Sequence, residues 1–525
     1  MDAGRELASL LTELKQRTGW SYERIGAKAN LSRSTVHRYC TGASVPSAFG
    51  PVEQIALACG AGSAELSALY RLWERAGEAG PADEPVPADR PVRPRLPALS
   101  RRSWGVLAGA AAMVLLAAVA VVVGIPDDPV DTTVTAPIDA PMWTLPPSPI
   151  APEFVGVTVN SPTGLMPGSE AGSVRLWDSE TKWNQIEPER DRYDWTTLER
   201  LVDGAARAGL PVVYVFGGTP QWASPAGPPA TYPDGARASP PDDLADWDDL
   251  VRDVASRFRG RIGAYELWDM ANHAKFFTGS PEVLVEMVRR AAAVIREVDP
   301  AASVVCPSMG QLWEPAYLAY LQRFGELRGY DHCDAAAVKL YPRRAADPPE
   351  TMVELAERIN EAFHRGYGHA KLWSTGTDFD VPYQPPLDEA RAADHAARFF
   401  LAGVYARFER MYFYNWGGAR VPIVLQPVGG PATRAAAHVG RLRSWLSGVR
   451  VGSCRHGEPA GLAGNVWTCR FDRGGVPFEI WWTHEGTARV PVPPGMSVAE
   501  RLDGSAARVA GEVALDGSPT LLRPA

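Results

Sequence analysis

From Trp104 to Ile125 the chain reads WGVLAGAAAMVLLAAVAVVVGI, with no charged side chain. About 20 apolar residues in a helix cross the hydrocarbon core of a bilayer, so a transmembrane helix is expected at 104–125. Its flanks are polar and proline-rich, which disfavours a buried core helix. A folded-looking domain precedes it, which disfavours a signal peptide. Arg90, Arg93, Arg95, Arg101 and Arg102 precede the segment, and Asp127, Asp128 and Asp131 follow it. The positive-inside rule then places the N-terminus in the cytoplasm and the C-terminal part outside the cell, as a single-pass protein of the cell membrane. Both flanks, 80–103 and 126–152, read as extended Pro-rich linkers. A chain of 525 residues exceeds one compact domain, and its net charge of −8 averages over dissimilar segments.

Residues 1–79 read as an all-α bundle. The informative stretch is SYERIGAKANLSRSTVHRYCTG, Ser21 to Gly42. Ser21 is an expected N-cap, Ile25, Ala29, Leu31 and Val36 supply apolar contacts, and Asn30 suits a helix-ending turn. Ser32 caps a second helix carrying Arg33, Ser34, Thr35, His37 and Arg38, whose side chains are expected to reach phosphates and base edges in a major groove. The run resembles the helix-turn-helix of the xenobiotic-response-element type, T-x-E-E-L-A-x-x-A-G-V-S-x-S-T-I-S-R. That resemblance implies duplex DNA as a partner. The plainer reading is a helical bundle for protein contacts, since fold does not fix function.

Beyond residue 152, strand-like runs alternate with amphipathic helices: FVGVTV, SVRLWD, PVVYVFG, IGAYELW, SVVCPS, AAAVKLY, KLWSTG and RMYFYNW. Eight such units over 153–448 predict a (β/α)8 TIM barrel, with working groups at the C-terminal strand ends. Those ends carry Arg175, Trp177, Asp178, Trp183, Trp222, Trp268, Asn272, Lys339, Tyr341 and Trp416. Aromatic faces stack on sugar rings while polar groups bond hydroxyls, so the set is the candidate carbohydrate site. Any one of these tryptophans by itself reads as core. The region resembles family 39 and related glycoside hydrolases of the retaining clan, through RLWD, GGTPQWAS, YELW, VKLYP and FYNW. The resemblance implies a small C-terminal β-sandwich over 449–525. Cys454 and Cys469 bracket a turn-rich stretch there and are candidates for a disulfide, while a pairing of Cys306 with Cys333 is left open.

Retaining glycosidases need two carboxyl groups about 5 Å apart. The resembled family carries them in W-N-E-P and W-x-T-E motifs. In YELWDMAN and KLWSTGTDFD the corresponding positions are Met270 and Gly376. Asp269 and Asp378 are weak substitutes. Strand alternation points Asp269 away from the lumen, and Glu266 faces inward but deeper. No catalytic residue, cofactor or metal is therefore expected. The leading reading is a membrane-anchored transcriptional regulator whose non-catalytic barrel senses a carbohydrate or cell-wall glycan. The alternatives are an anchored retaining hydrolase with relocated carboxylates and a structural adaptor between a cytoplasmic partner and the wall. Gly105 and Gly109, in G-x-x-x-G spacing, suggest a homodimer through the membrane segment.

Overall fold

The computed structural model describes residues 3–29, 31, 33–45, 50–61, 65, 68–69, 72–73, 75–76, 138–168, 170–232, 234–378, 381–418 and 421–525. Four helices open the chain: α1 (Ala3–Thr18), α2 (Tyr22–Lys28), α3 (Arg33–Cys40) and α4 (Gly50–Ala58). The Ser21 hydroxyl caps α2 by accepting from the Arg24 amide at 3.2 Å. Leu7, Leu11, Leu14, Ile25, Val36, Val52 and Ile55 are buried at 0–2 % exposure. The N-cap at Ser32 and the turn at Asn30 lie outside the described residues.

Eight parallel strands close into a barrel in chain order. They are β2 (Val155–Val159), β3 (Ser173–Leu176), β4 (Val212–Val215), β5 (Ala264–Glu266), β6 (Ser303–Val305), β7 (Ala335–Val338), β8 (Lys371–Ser374) and β9 (Arg410–Trp416). Every strand read from the sequence is present. Val213, Ala264, Val305, Ala335, Ala337, Trp373 and Tyr412 form one apolar cluster in the lumen. Outer helices such as Leu244–Arg257, Pro281–Val298 and Glu389–Tyr405 cover the wall. Their caps are local: Asp243 accepts from Ala245 N, Ser280 from Val283 N and Asp388 from Arg391 N.

The C-terminal domain is a seven-stranded sheet facing a two-stranded one. The large sheet runs β1 (Trp143–Pro149), β10 (Arg450–His456), β11 (Val466–Arg473), β12 (Val476–Thr483), β17 (Thr520–Arg523), β14 (Val498–Arg501), β15 (Ala506–Arg508). The small one pairs β13 (Ala488–Pro491) with β16 (Glu512–Leu515). Val466, Trp481, Val490, Val513, Leu515 and Leu522 fill the space between. The stretch read as linker up to residue 152 differs. Its WTLPPSP is an edge strand, antiparallel to β10, and an edge position tolerates prolines that lack the ladder donor. Arg398 donates to the carbonyls of Thr483 and His484, and Trp482 Nε1 to Glu350, joining the sheet to the barrel.

Two disulfides are present, Cys454–Cys469 across β10 and β11 and Cys306–Cys333 beside β6. Cys40 and Cys59 are free and buried.

The expectation of a membrane-crossing helix, and with it of a single-pass cell-membrane protein with cytoplasmic and extracellular ends, is corrected. Among the described residues no helix is long and apolar enough to cross a membrane. The longest of them, Pro281–Val298, carries Glu286, Arg289, Arg290 and Arg296 and packs as an amphipathic element of the barrel wall. The segment 104–125, with Gly105 and Gly109, lies outside the described residues.

Replacing Cys454 and Cys469 together by Ser reopens a span of 15 residues in the unfolded chain. The expected loss, read from denaturant unfolding of the C-terminal domain, is about 3 kcal/mol. Buried His484 accepts from Trp467 Nε1 at 3.0 Å, and burial lowers its pKa to about 4. The unfolded chain protonates this group first, at the ordinary histidine value, so its contribution is full above roughly pH 6.5 and declines as pH falls toward 4, by at most about 1.4 kcal/mol per unit. His484→Phe should flatten the pH dependence of the thermal midpoint in that window.

Candidate functional site

The C-terminal strand ends converge on a buried ion network. Arg175, on β3, donates through Nε to Glu266 Oε2 at 2.7 Å and through Nη2 to Glu266 Oε1 at 2.8 Å. The same Nη2 reaches Asp269 Oδ1 at 2.6 Å. Lys339 Nζ, just past β7, donates to Asp269 Oδ1 at 2.6 Å and to Thr375 O at 2.9 Å. Ser308 Oγ adds a bond to Asp269 at 3.1 Å. The four charged side chains are 0–4 % exposed. Burial alone would raise the Asp269 pKa, but Lys339 and Arg175 outweigh it and hold the carboxyl below its ordinary value. Burial, with Arg175 adding, lowers Lys339, while Asp269 and Glu266 oppose. The network is a charge-balanced set of two cations and two carboxylates.

Asp269 reaches this network because β5 ends at Glu266. Alternation stops there: Trp268 has φ 154° and Met270 φ 47°. The expectation that Asp269 points away from the lumen fails for that reason. Met270, 2 % exposed, packs with Trp177, Val215 and Phe276, and Tyr232 lies against them. Its amide donates to Ser308 Oγ at 3.0 Å. A Cβ on Gly310 would stand 2.5 Å from Met270 Cε, so a side chain there would push the thioether end aside. Gly376 has φ +118°, and a Cβ there would lie 3.6 Å from Tyr414 Cβ and 4.0 Å from Lys339 Nζ.

The remaining sequence candidates divide by environment. Trp183, Trp268 and Trp416 are 0–1 % exposed. Their indole nitrogens donate to Glu187, Phe276 O and Gln426 respectively, and protein covers their faces. Asn272 is spent on both backbone groups of Gly310, at 2.8 and 2.9 Å. Trp177 is 4 % exposed and donates to the Tyr232 hydroxyl at 3.1 Å. Asp378 Oδ2 accepts from Gln311 N at 2.7 Å and from Tyr341 OH at 2.5 Å. Half-buried Asp178 accepts from Tyr414 OH at 2.8 Å. Half-buried Trp222, after β4, lies under the Arg190 guanidinium.

Sequence reasoning missed Tyr232, Tyr414 and Thr375. Tyr414 was accessible from alternation on β9, where Tyr412 faces the lumen. Tyr232 lies in a long loop with no periodic pattern to mark it. A cavity of about 60 Å³, lined partly by Tyr341, Thr377 and Tyr414, adjoins this face. A groove of about 940 Å³ lies at the opposite, N-terminal end near Phe154 and Lys371, away from the strand ends where barrel chemistry sits. Among the described residues no cluster of three His, Cys, Asp or Glu could hold a metal ion.

In the first domain, α3 turns Val36 and Cys40 inward and leaves Arg33, Ser34, His37 and Arg38 exposed, with Thr35 half-buried. That is one polar face on one helix.

Comparison with known proteins agrees with this architecture. Residues 6–69 match the helix-turn-helix domain family and residues 165–247 the beta-galactosidase family. No curated protein matches the chain. Among solved structures, a family 39 glycoside hydrolase from Bacteroides cellulosilyticus WH2 superposes with TM-score 0.54 at 15 % identity, over 72 % of this chain and 82 % of that one. A conserved exported protein from Bacteroides fragilis gives 0.51 at 12 % identity, over 73 % and 99 %. A monomeric beta-xylosidase from Caulobacter crescentus CB15 gives 0.50 at 14 % identity, over 73 % and 98 %. The chain therefore joins a helix-turn-helix domain to a barrel with the fold of glycoside hydrolases.

Lys339→Met removes one of the two cations that neutralise Asp269. Breaking a buried pair from one side costs roughly 3–5 kcal/mol, and the barrel's thermal transition should fall accordingly. Adding Asp269→Asn should recover part of that loss, because the uncompensated carboxylate is then gone. Equal destabilisation in the single and double variants would contradict the pairing.

Proposed function

We propose that this protein is a DNA-binding transcriptional regulator whose barrel is a non-catalytic carbohydrate-sensing module. The observation that carries the proposal is the fate of the two positions where the resembled glycosidases hold their carboxyl groups. One is Met270, packed in an apolar cluster, and the other is Gly376, with no side chain. A thioether cannot transfer a proton, and the left-handed backbone at Gly376 strains any larger residue. Three carboxylates beside these positions are engaged elsewhere. Glu266 and Asp269 are tied to Arg175 and Lys339, and Asp378 to Tyr341 and Gln311 N. General acid and nucleophile roles need one free protonated and one free ionised carboxyl. Glycan recognition needs neither, and half-buried Asp178 with its partner Tyr414 keeps hydroxyl-bonding character. Exposed Arg33, His37 and Arg38 on α3 support the DNA half of the reading.

Aryl glycosides of several sugars should show no turnover with the full-length protein. Turnover abolished by Asp178→Asn, Asp269→Asn or Asp378→Asn would replace this reading with a hydrolase using relocated carboxylates. On a glycan array, binding is expected and should weaken in the Asp178→Asn, Tyr414→Phe double variant. Arg33→Ala with Arg38→Ala should weaken duplex DNA binding by roughly 1–3 kcal/mol for each of the two side chains that bonds a base edge. Unchanged DNA binding would favour a protein-contact role for the domain.

A further inference from the structure

The cations of the N-terminal domain fall into two groups. Arg17 is paired with Glu65 at 2.7 Å and Arg75 with Glu6 at 3.5 Å. Arg24, Lys28, Arg33 and Arg38 have no carboxylate partner among the described residues, and all four are exposed. Two of them are nevertheless held. The Arg24 guanidinium lies 4.3 Å from the Trp20 ring centroid, and Lys28 Nζ lies 4.5 Å from the same ring. Trp20, Arg24 and Lys28 follow one another at four-residue spacing, so α2 presents both cations along one line. A second aromatic repeats the device: Lys15 Nζ sits 4.7 Å over Tyr22, and Tyr22 meets the His37 ring edge-on at 5.0 Å. The Tyr22–His37 pair joins the row on α2 to the exposed face of α3.

Aromatic backing matters because it fixes a cation without neutralising it. A carboxylate partner would cancel the charge, whereas a ring face orders the side chain and leaves its outer donors for a ligand. Ordering two flexible side chains before binding removes an entropic cost that binding would otherwise bear. Arg24 also stands where the resembled helix-turn-helix pattern carries a second glutamate, so this position is cationic rather than acidic here.

We propose that Trp20, Arg24 and Lys28 form a preordered clamp for the sugar–phosphate backbone of duplex DNA, beside the groove entered by α3. The proposal rests on the DNA-binding reading and adds residues outside the expected recognition set. Arg24 and Lys28 contact phosphates and carry no sequence information, and Trp20 is a positioning residue that touches no DNA.

The test is fluorescence anisotropy of the full-length protein with a random-sequence 30-base-pair duplex across a range of potassium chloride concentrations. Each phosphate neutralised by a cation contributes about 0.9 to the slope of log affinity against log salt. Arg24→Gln with Lys28→Gln should therefore lower the slope by about 2, with thermal unfolding unchanged. Arg17→Gln, which removes a paired charge, should leave the slope as it is. Trp20→Ala should weaken binding at low salt and Trp20→Phe should restore it. A wild-type slope in the Arg24, Lys28 double variant, with binding intact, overturns the clamp alone. Absence of any binding by the wild-type protein overturns the DNA-binding reading on which it rests.

Discussion

Four ionised side chains at the centre of the barrel, Arg175, Glu266, Asp269 and Lys339, set the terms for the rest of the site. Each is almost fully withdrawn from water, and desolvation of a single charge costs several kcal/mol. The arrangement holds only because every charge has an opposite neighbour at 2.6–2.8 Å. It also holds strand ends together. Arg175 comes from β3, Glu266 from β5, Asp269 from the loop after β5 and Lys339 from the residue after β7, and Thr375, after β8, accepts from Lys339. Short strands of three or four residues supply few ladder bonds, so the network contributes the register that the ladders alone define weakly.

The same network takes up the carboxylates that flank Met270. A catalytic pair leaves one carboxyl protonated and one free to attack. Here Asp269, beside Met270, is saturated by donors from Arg175, Lys339 and Ser308. Met270 fills space against Trp177 and Phe276. A side chain built at Gly376 would begin 4.0 Å from the Lys339 ammonium.

The strands were legible because parallel barrel strands are buried on both faces and read as apolar runs between amphipathic helices. The strand ends were not. Alternation gave the wrong direction for Asp269, since β5 stops three residues earlier and two residues with positive φ follow. The tryptophans at strand ends were legible as a set, but composition does not separate a ring that faces solvent from one that anchors a loop. Trp183, Trp268 and Trp416 prove to be anchors, each donating to an internal acceptor. The edge strand β1 was hidden by its prolines, which mimic a linker. Tyr232, a loop residue, became visible only when the fold brought it to Lys182 and Trp177.

Charge pairing separates the two halves of the molecule in the ligands they suit. In the buried network Arg175 is neutralised by Glu266 and Asp269 and Lys339 by Asp269, and beside it Lys182 by Asp234 at 2.9 Å, whereas exposed Arg343 lies 4.4 Å from the Trp313 ring centroid. In the N-terminal domain the balance is reversed. Its paired cations, Arg17 and Arg75, bind acids of its own bundle, and the exposed cations of α2 and α3 are left over. A surplus of fixed positive charge on one face, ordered by aromatic rings rather than by acids, attracts a polyanion and draws little from a neutral sugar.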